Sequence, residues 1–146
     1  MYVILESNDY EKLTQLFYDN GLEIKPGIEK PDYVVKCWEC KDPLNNKLIG
    51  GAAIEIRNGD MVIADIAVDP NYRKEKIGTQ LMITMEEEIV KRGGKEAWLV
   101  AKQPEFYNKL GWEVVAREQA PDISNCFSCF RYGKDCNPQI MHKALL

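Results

Sequence analysis

Residues 61–92 read MVIADIAVDPNYRKEKIGTQLMITMEEEIVKR. Ile63, Ala64, Ile66, Ala67 and Val68 form an apolar run of strand length broken only by Asp65, and Asp69-Pro70-Asn71 supplies the turn chemistry that ends it. Ile77, Leu81, Met85 and Ile89 then recur at helical spacing, with Glu86, Glu87, Lys91 and Arg92 on the wet face and Gly93-Gly94 as the stop. The stretch is therefore a buried strand, a basic turn and an amphipathic helix whose first turn holds Gly78 and Thr79. The first N–H groups of a helix lack intrahelical partners and sit at the positive end of its dipole, so they bind phosphate readily. Arg73, Lys74 and Lys76 stand at the mouth of this site.

Working outward, 146 residues with 45% hydrophobic content suit one domain, 1–146, with a substantial core. No apolar run approaches the ~20 residues a membrane helix needs, and Met1-Tyr-Val-Ile-Leu-Glu lacks the basic start of a signal peptide. The expectation is a cytoplasmic protein without a membrane partner. A net charge of −4 also argues against a general nucleic-acid binder, whose footprint is clustered Lys and Arg. The three cations of the turn are a local exception on an acidic background, which suits a small polyanion.

Residues 2–6 are β-prone and predict a first strand, followed by a helix with Asn8 and Glu11 at capping-box spacing and Gly21 as its stop. A loop with Pro26-Gly27 and Pro31 leads to strands over 33–41 and 48–58, joined by a turn at 42–46, and Asn58-Gly59-Asp60 makes the next hairpin. Beyond the long helix, EAWLVA (96–101) predicts a buried strand. Pro104 opens a short helix capped by Gly111, residues 112–117 predict another strand, and QIMHKALL (139–146) a last one.

Two segments carry a resemblance. Val68-Asp-Pro-Asn-Tyr-Arg73-Lys-Glu-Lys-Ile-Gly78-Thr79 resembles the acyl-CoA signature of the GCN5-related N-acetyltransferases (GNAT), and FYNKLGW (106–112) is similar to that superfamily's second signature. Two motifs in the right order are more specific than either alone. The resemblance implies an α/β (α+β) fold: a mixed, mostly antiparallel sheet of about six to seven strands, splayed at an acyl-CoA cleft and flanked by helices. It also implies acetyl-CoA as cosubstrate. Main-chain groups of Ile66, Ala67 and Val68 would pair with the pantetheine as an added strand, and Arg73, Lys74, Lys76, Ile77, Gly78 and Thr79 would cradle the pyrophosphate. Lys76 stands where the first loop glycine is usual, so either the backbone differs there or the lysine reaches a phosphate.

Acetyl transfer needs a neutral amine, a polarised thioester carbonyl and a proton for the departing thiolate. By the resemblance Tyr107 is placed near the sulfur to supply that proton; the alternative is a packed aromatic beside Phe106 and Trp112. Asp65 is the first candidate base, with Glu55, Glu39 and Glu113 on neighbouring predicted strands, and proton transfer through ordered water is the alternative to any single base.

The five cysteines form two CxxC units, Cys37/Cys40 and Cys126/Cys129, with Cys136 and His142 beyond. Three readings stay open: buried reduced thiols, a zinc clip, or a redox-active or acyl-accepting thiol. Strand alternation opposes a shared ion at Cys37 and Cys40, which would point to opposite faces. Two functional readings follow: an acetyl-CoA-dependent N-acetyltransferase acting on a small-molecule or protein amine, or a zinc-stabilised interaction or sensor module with a non-catalytic cleft. A homodimer through a sheet edge is compatible with either.

Overall fold

A computed structural model describes residues 1–22, 24–121, 123 and 138–145. Seven strands form one sheet: β1 (Val3–Ser7), β2 (Val34–Asp42), β3 (Lys47–Arg57), β4 (Asp60–Val68), β5 (Glu96–Ala101), β6 (Glu113–Val115) and β7 (Gln139–Ala144). Their order is β1-β2-β3-β4-β5-β7-β6, and every neighbouring pair is antiparallel except β4 and β5. That single parallel pair needs a crossover. Helix α2 (Ile77–Lys91) provides it, reached through a 3-10 turn over Pro70–Glu75.

The sheet is covered on two faces because its strands alternate. On one face Trp38, Ala52, Ile54, Ile63 and Leu99 pack against Leu81, Met82, Met85 and Ile89 of α2. On the other, Cys37, Ala53 and Ala67 meet Tyr10, Leu13 and Phe17 of α1 (Tyr10–Asp19). Both helices end in a Schellman arrangement, with Leu22 N–H on the Phe17 carbonyl at 3.0 Å and Gly94 N–H on that of Ile89 at 2.9 Å.

Three local expectations change. The cap of α1 is Asp9, whose carboxylate accepts from the Lys12 N–H at 3.1 Å, whereas Asn8 plays no part in it. The turn after β4 is the 3-10 helix, started by Asp69 and Pro70 rather than left irregular. The strand predicted over 112–117 shortens to Glu113–Val115, because Trp112 turns into the core and residues 117–119 form a 3-10 turn. Among the described residues no helix is long and apolar enough to cross a membrane.

Helix α1 approaches the sheet where β3 carries Gly51. A Cβ there would fall 2.6 Å from Leu13 Cδ2, so the fully buried Leu13 side chain must shift to admit it. Gly51→Ala is therefore expected to cost ~1–3 kcal/mol by overpacking and Leu13→Ala ~2–5 kcal/mol by cavity formation. The double variant should be more stable than the sum of the two losses, measured by urea denaturation, since one new methyl occupies part of the other's cavity.

Candidate active site

The site begins with a register fault. Ala53 faces Asp65 but Ile54 faces Ile63, so Ala64 is an extra residue in β4. Such a bulge bends and twists its strand. Pairing between β4 and β5 is confined to Val62 with Trp98 and Ile63 with Leu99, just before the bulge. From there the two strands run to their C-terminal ends without pairing with each other.

Which main-chain groups face that gap follows from one hydrogen bond. Asp69 N–H donates to the Ile49 carbonyl of β3 at 2.7 Å. Antiparallel pairs alternate between bonded and non-bonded, so Ala67 turns its N–H and C=O to β3 while Val68 and Ile66 turn theirs to the β5 side. The position of the Ala67 oxygen, 3.3 Å from where a Cβ on Gly50 would stand, agrees. Of the three main-chain sites expected on this strand, Ile66 and Val68 face the opening and Ala67 faces away from it.

The opening leads to the start of α2. That helix has no side-chain cap and no acidic residue in its first turn, so its leading N–H groups are unclaimed by side chains. Lys76 takes φ 59° and ψ 30°, the left-handed conformation that a glycine would adopt freely. The backbone path suited to glycine is thus kept, and a cation is added. Arg73 and Lys76 are exposed and carry no ion pair among the described residues, while Lys74 lies on the same turn. Glu75, the one acid of the turn, is held by the Met1 ammonium at 2.8 Å. Ile77 is fully buried, so only its main chain is available, and Gly78 and Thr79 are half-buried at the helix start.

Tyr107 lies on α3 (Glu105–Asn108) and packs, partly buried, against the core shared with α2. Its carbonyl accepts from the Trp112 N–H at 3.1 Å, and the Trp112 indole N–H lies 3.4 Å from Glu86 of α2. Lys143 bonds both Glu86 (2.7 Å) and the Leu110 carbonyl (2.8 Å), which ties the turn to α2 and β7. Burial pushes the Tyr107 phenol up to about 12, so it stays protonated. Its hydroxyl has no hydrogen-bond partner among the described residues.

A family model for the acetyltransferase (GNAT) family matches residues 4–112. The chain belongs to the GNAT family. Similar folds include a GNAT acetyltransferase from Staphylococcus aureus, with 17% identity over 100% of both chains and a TM-score of 0.73. The ribosomal-protein-S18-alanine N-acetyltransferase from Escherichia coli gives 19% identity over 99% of this chain and 94% of that one, with a TM-score of 0.71. A Mycobacterium tuberculosis protein solved in complex with CoA gives 16% over 99% of each chain, with a TM-score of 0.76. A search of curated proteins returned no match. At such identities the likeness establishes the GNAT fold.

On the opposite face of this GNAT sheet, register places Cys37, Ala53 and Asp65 in one row beneath α1. The Asp65 carboxylate is half-buried and has no hydrogen-bond partner among the described residues. Burial, with the charge of Glu55 beside it, pushes its pKa up to about 7. Glu55 is itself raised by burial, although Arg57 Nε bonds it at 2.8 Å. The other carboxylates lie elsewhere. Glu39 is held by Ser7, Lys12 and Lys41, and Glu113 is exposed on β6.

Cys37 and Cys40 point to opposite faces, as alternation requires, and so share no ion. Burial raises both thiols to about 11, which keeps them protonated and unreactive. Cys126, Cys129 and Cys136 lie outside the described residues. Among those described, no three His, Cys, Asp or Glu side chains converge as metal ligands. His142 instead packs its ring against Trp98, centroids 4.5 Å apart and planes tilted by 53°, and meets Glu96 at 2.8 Å.

One site residue escaped the sequence reading. A Cβ on Gly78 would come 3.2 Å from Phe106 Cζ and 3.9 Å from Val68 Cγ2, so Phe106 closes over the helix start where β4 ends. Its neighbour Tyr107 drew attention first, yet the adjacent aromatic pair was the available signal.

The raised pKa of Asp65 gives a stability prediction. Its folded value of about 7 exceeds the ordinary 3.8, so folding favours the protonated form, and stability falls as pH rises from about 4 to about 7. Asp65→Asn should be increasingly more stable than the parent across that window, by up to a few kcal/mol, and the difference should level off above it. Thermal unfolding at pH 4, 5, 6, 7 and 8 reads this directly.

Proposed function

We propose that the protein transfers the acetyl group of acetyl-CoA to a primary amine by direct attack in a ternary complex. The observation that carries the reading is the edge of β4 at Ile66 and Val68, unpaired among the described residues, which opens onto an uncapped helix start flanked by the exposed Arg73 and Lys76. The two surfaces suit the two ends of one ligand. An extended amide-bearing arm pairs with the strand edge as an added strand. A pyrophosphate takes the N–H groups of Gly78 and Thr79 and the side chains of Arg73, Lys74 and Lys76.

The residues divide the chemistry by their surroundings. Val68 N–H, turned to the gap, polarises the thioester carbonyl. Asp65, with a pKa near 7, takes a proton from the incoming ammonium and leaves a neutral amine to attack. As the amide forms, the nitrogen loses a second proton, matching the one the thiolate requires. Tyr107 is a weaker acid than a thiol of pKa ~8.5, so it serves the departing sulfur as hydrogen-bond donor and relays that second proton. Glu55 flanks the base without replacing it, since Arg57 occupies its carboxylate.

Purified protein incubated with acetyl-CoA and a panel of primary amines should release free CoA thiol. If no amine releases it and calorimetry detects no acetyl-CoA binding, the reading is wrong. Tyr107→Phe keeps the ring and removes the donor, so kcat should fall by roughly 10² while acetyl-CoA affinity holds. Lys76→Gly separates conformation from charge. Relief of the left-handed lysine should leave Tm equal or higher, whereas the KM for acetyl-CoA should rise about 3- to 5-fold, and less at high salt.

A further inference from the structure

Phe106 takes no part in the proton transfers above, yet it occupies the junction of the two surfaces on which that reading rests. Its Cζ and Cε1 lie 3.2 and 3.7 Å from the point where a Cβ on Gly78 would stand, and Val68 Cγ2 lies 3.9 Å from the same point. The end of β4, the start of α2 and the aromatic ring therefore meet at one place. Tyr107 packs edge-on against the ring, centroids 5.0 Å apart and planes at 76°, which with Gly78 braces it in position. These contacts leave Phe106 38% exposed, so apolar surface remains for a further partner.

The chemistry of the ligand says what that partner is. In acetyl-CoA a single methylene separates the phosphate ester oxygen from a carbon bearing two methyl groups, and one hydroxyl-bearing carbon then leads to the first amide of the arm. With the pyrophosphate on the N–H groups of Gly78 and Thr79 and the arm along Ile66 and Val68, this connectivity brings the paired methyls to the junction where β4 gives way to α2. They are the bulkiest aliphatic group of the ligand and gain only from leaving water. Arg73 and Lys76, exposed cations on the preceding turn, serve phosphate and offer them nothing. The ring of Phe106 is the apolar surface at that place.

We propose that Phe106 is a specificity-determining residue for the acyl donor, its ring covering the geminal methyl groups where the arm leaves the pyrophosphate. The proposal rests on the acetyl-CoA reading above and adds the residue that tells the coenzyme from a bare nucleotide. A helix start with neighbouring cations accepts any pyrophosphate. The ring favours only one that carries the branched arm, and an aromatic side chain already braced in place loses little freedom when the arm arrives.

The test is calorimetry with three ligands: CoA, a CoA analogue without the two methyls, and adenosine 3′-phosphate 5′-diphosphate, which lacks the whole arm. In the parent protein the analogue should bind about 3- to 10-fold more weakly than CoA. In Phe106→Ala the Kd for CoA should rise by about the same factor, the gap between CoA and the analogue should close to within about 2-fold, and the Kd for the nucleotide should not move. Phe106→Leu, which keeps an aliphatic surface, should retain part of the discrimination. Unchanged nucleotide binding shows that the helix start survives the substitution, so a general loss of structure cannot imitate this pattern. Equal weakening of all three ligands in Phe106→Ala, or a methyl preference that the substitution leaves intact, would overturn the proposal while acetyl-CoA binding stands. If the parent binds neither CoA nor the nucleotide, the acetyl-CoA reading fails and the role of Phe106 with it.

Discussion

Everything that makes this sheet more than a scaffold depends on the extra residue Ala64 in β4. An unbroken β4 would continue its ladder with β5, and the main-chain groups of Ile66 and Val68 would be consumed by it. The bulge turns the strand so that pairing ends at Ile63 and Leu99. Backbone donors and acceptors left without a partner cost free energy unless water or a ligand takes them. Their position at the end of a buried strand, beside the start of α2, leaves them open to such a partner.

Electrostatics divide the molecule along the same strand. Toward α2 the groups at the cleft mouth are Arg73, Lys76 and an uncapped helix start, with Glu75 tied to Met1. Toward α1, Asp65 and Glu55 lie on the sheet face, and Asp9, Glu11 and Glu29 line a depression at the start of that helix. Because side chains alternate along a strand, one element serves both faces. Asp65 points to the acidic side while its neighbour Ile66 packs toward α2.

Much of this was legible in the sequence. The apolar run before Asp69-Pro70, the helical spacing of Ile77 to Ile89 and the closing glycines placed strand, turn and helix, because each signal is local and repeated. The acyl-CoA pattern and FYNKLGW then pointed to the fold that the family match shows. What stayed hidden was set by register. No periodicity reveals that Ala64 is supernumerary, that Ala67 turns its main chain to β3, or that Phe106 covers Gly78. The cap of α1 was misplaced by one residue because Ser7, Asn8 and Asp9 are all good caps, and the choice depends on where β1 releases the chain. At Lys76 sequence posed a choice between an altered path and an added charge, and the dihedrals show that the path is kept.

The strand order also has a temporal side. β6 pairs with β7, and β7, the last strand in the sequence, lies between β5 and β6. Lys143 on that strand is one of the ties on the turn that carries Tyr107. A chain emerging from its N-terminus can assemble β1 to β5 with α1 and α2 from neighbouring or near-neighbouring segments. The far wall of the cleft must wait for contacts distant in sequence, which form slowly. During that interval β5 presents an unpaired edge, so the same insertion that ties down the turn makes β7 the guard against association between half-made molecules.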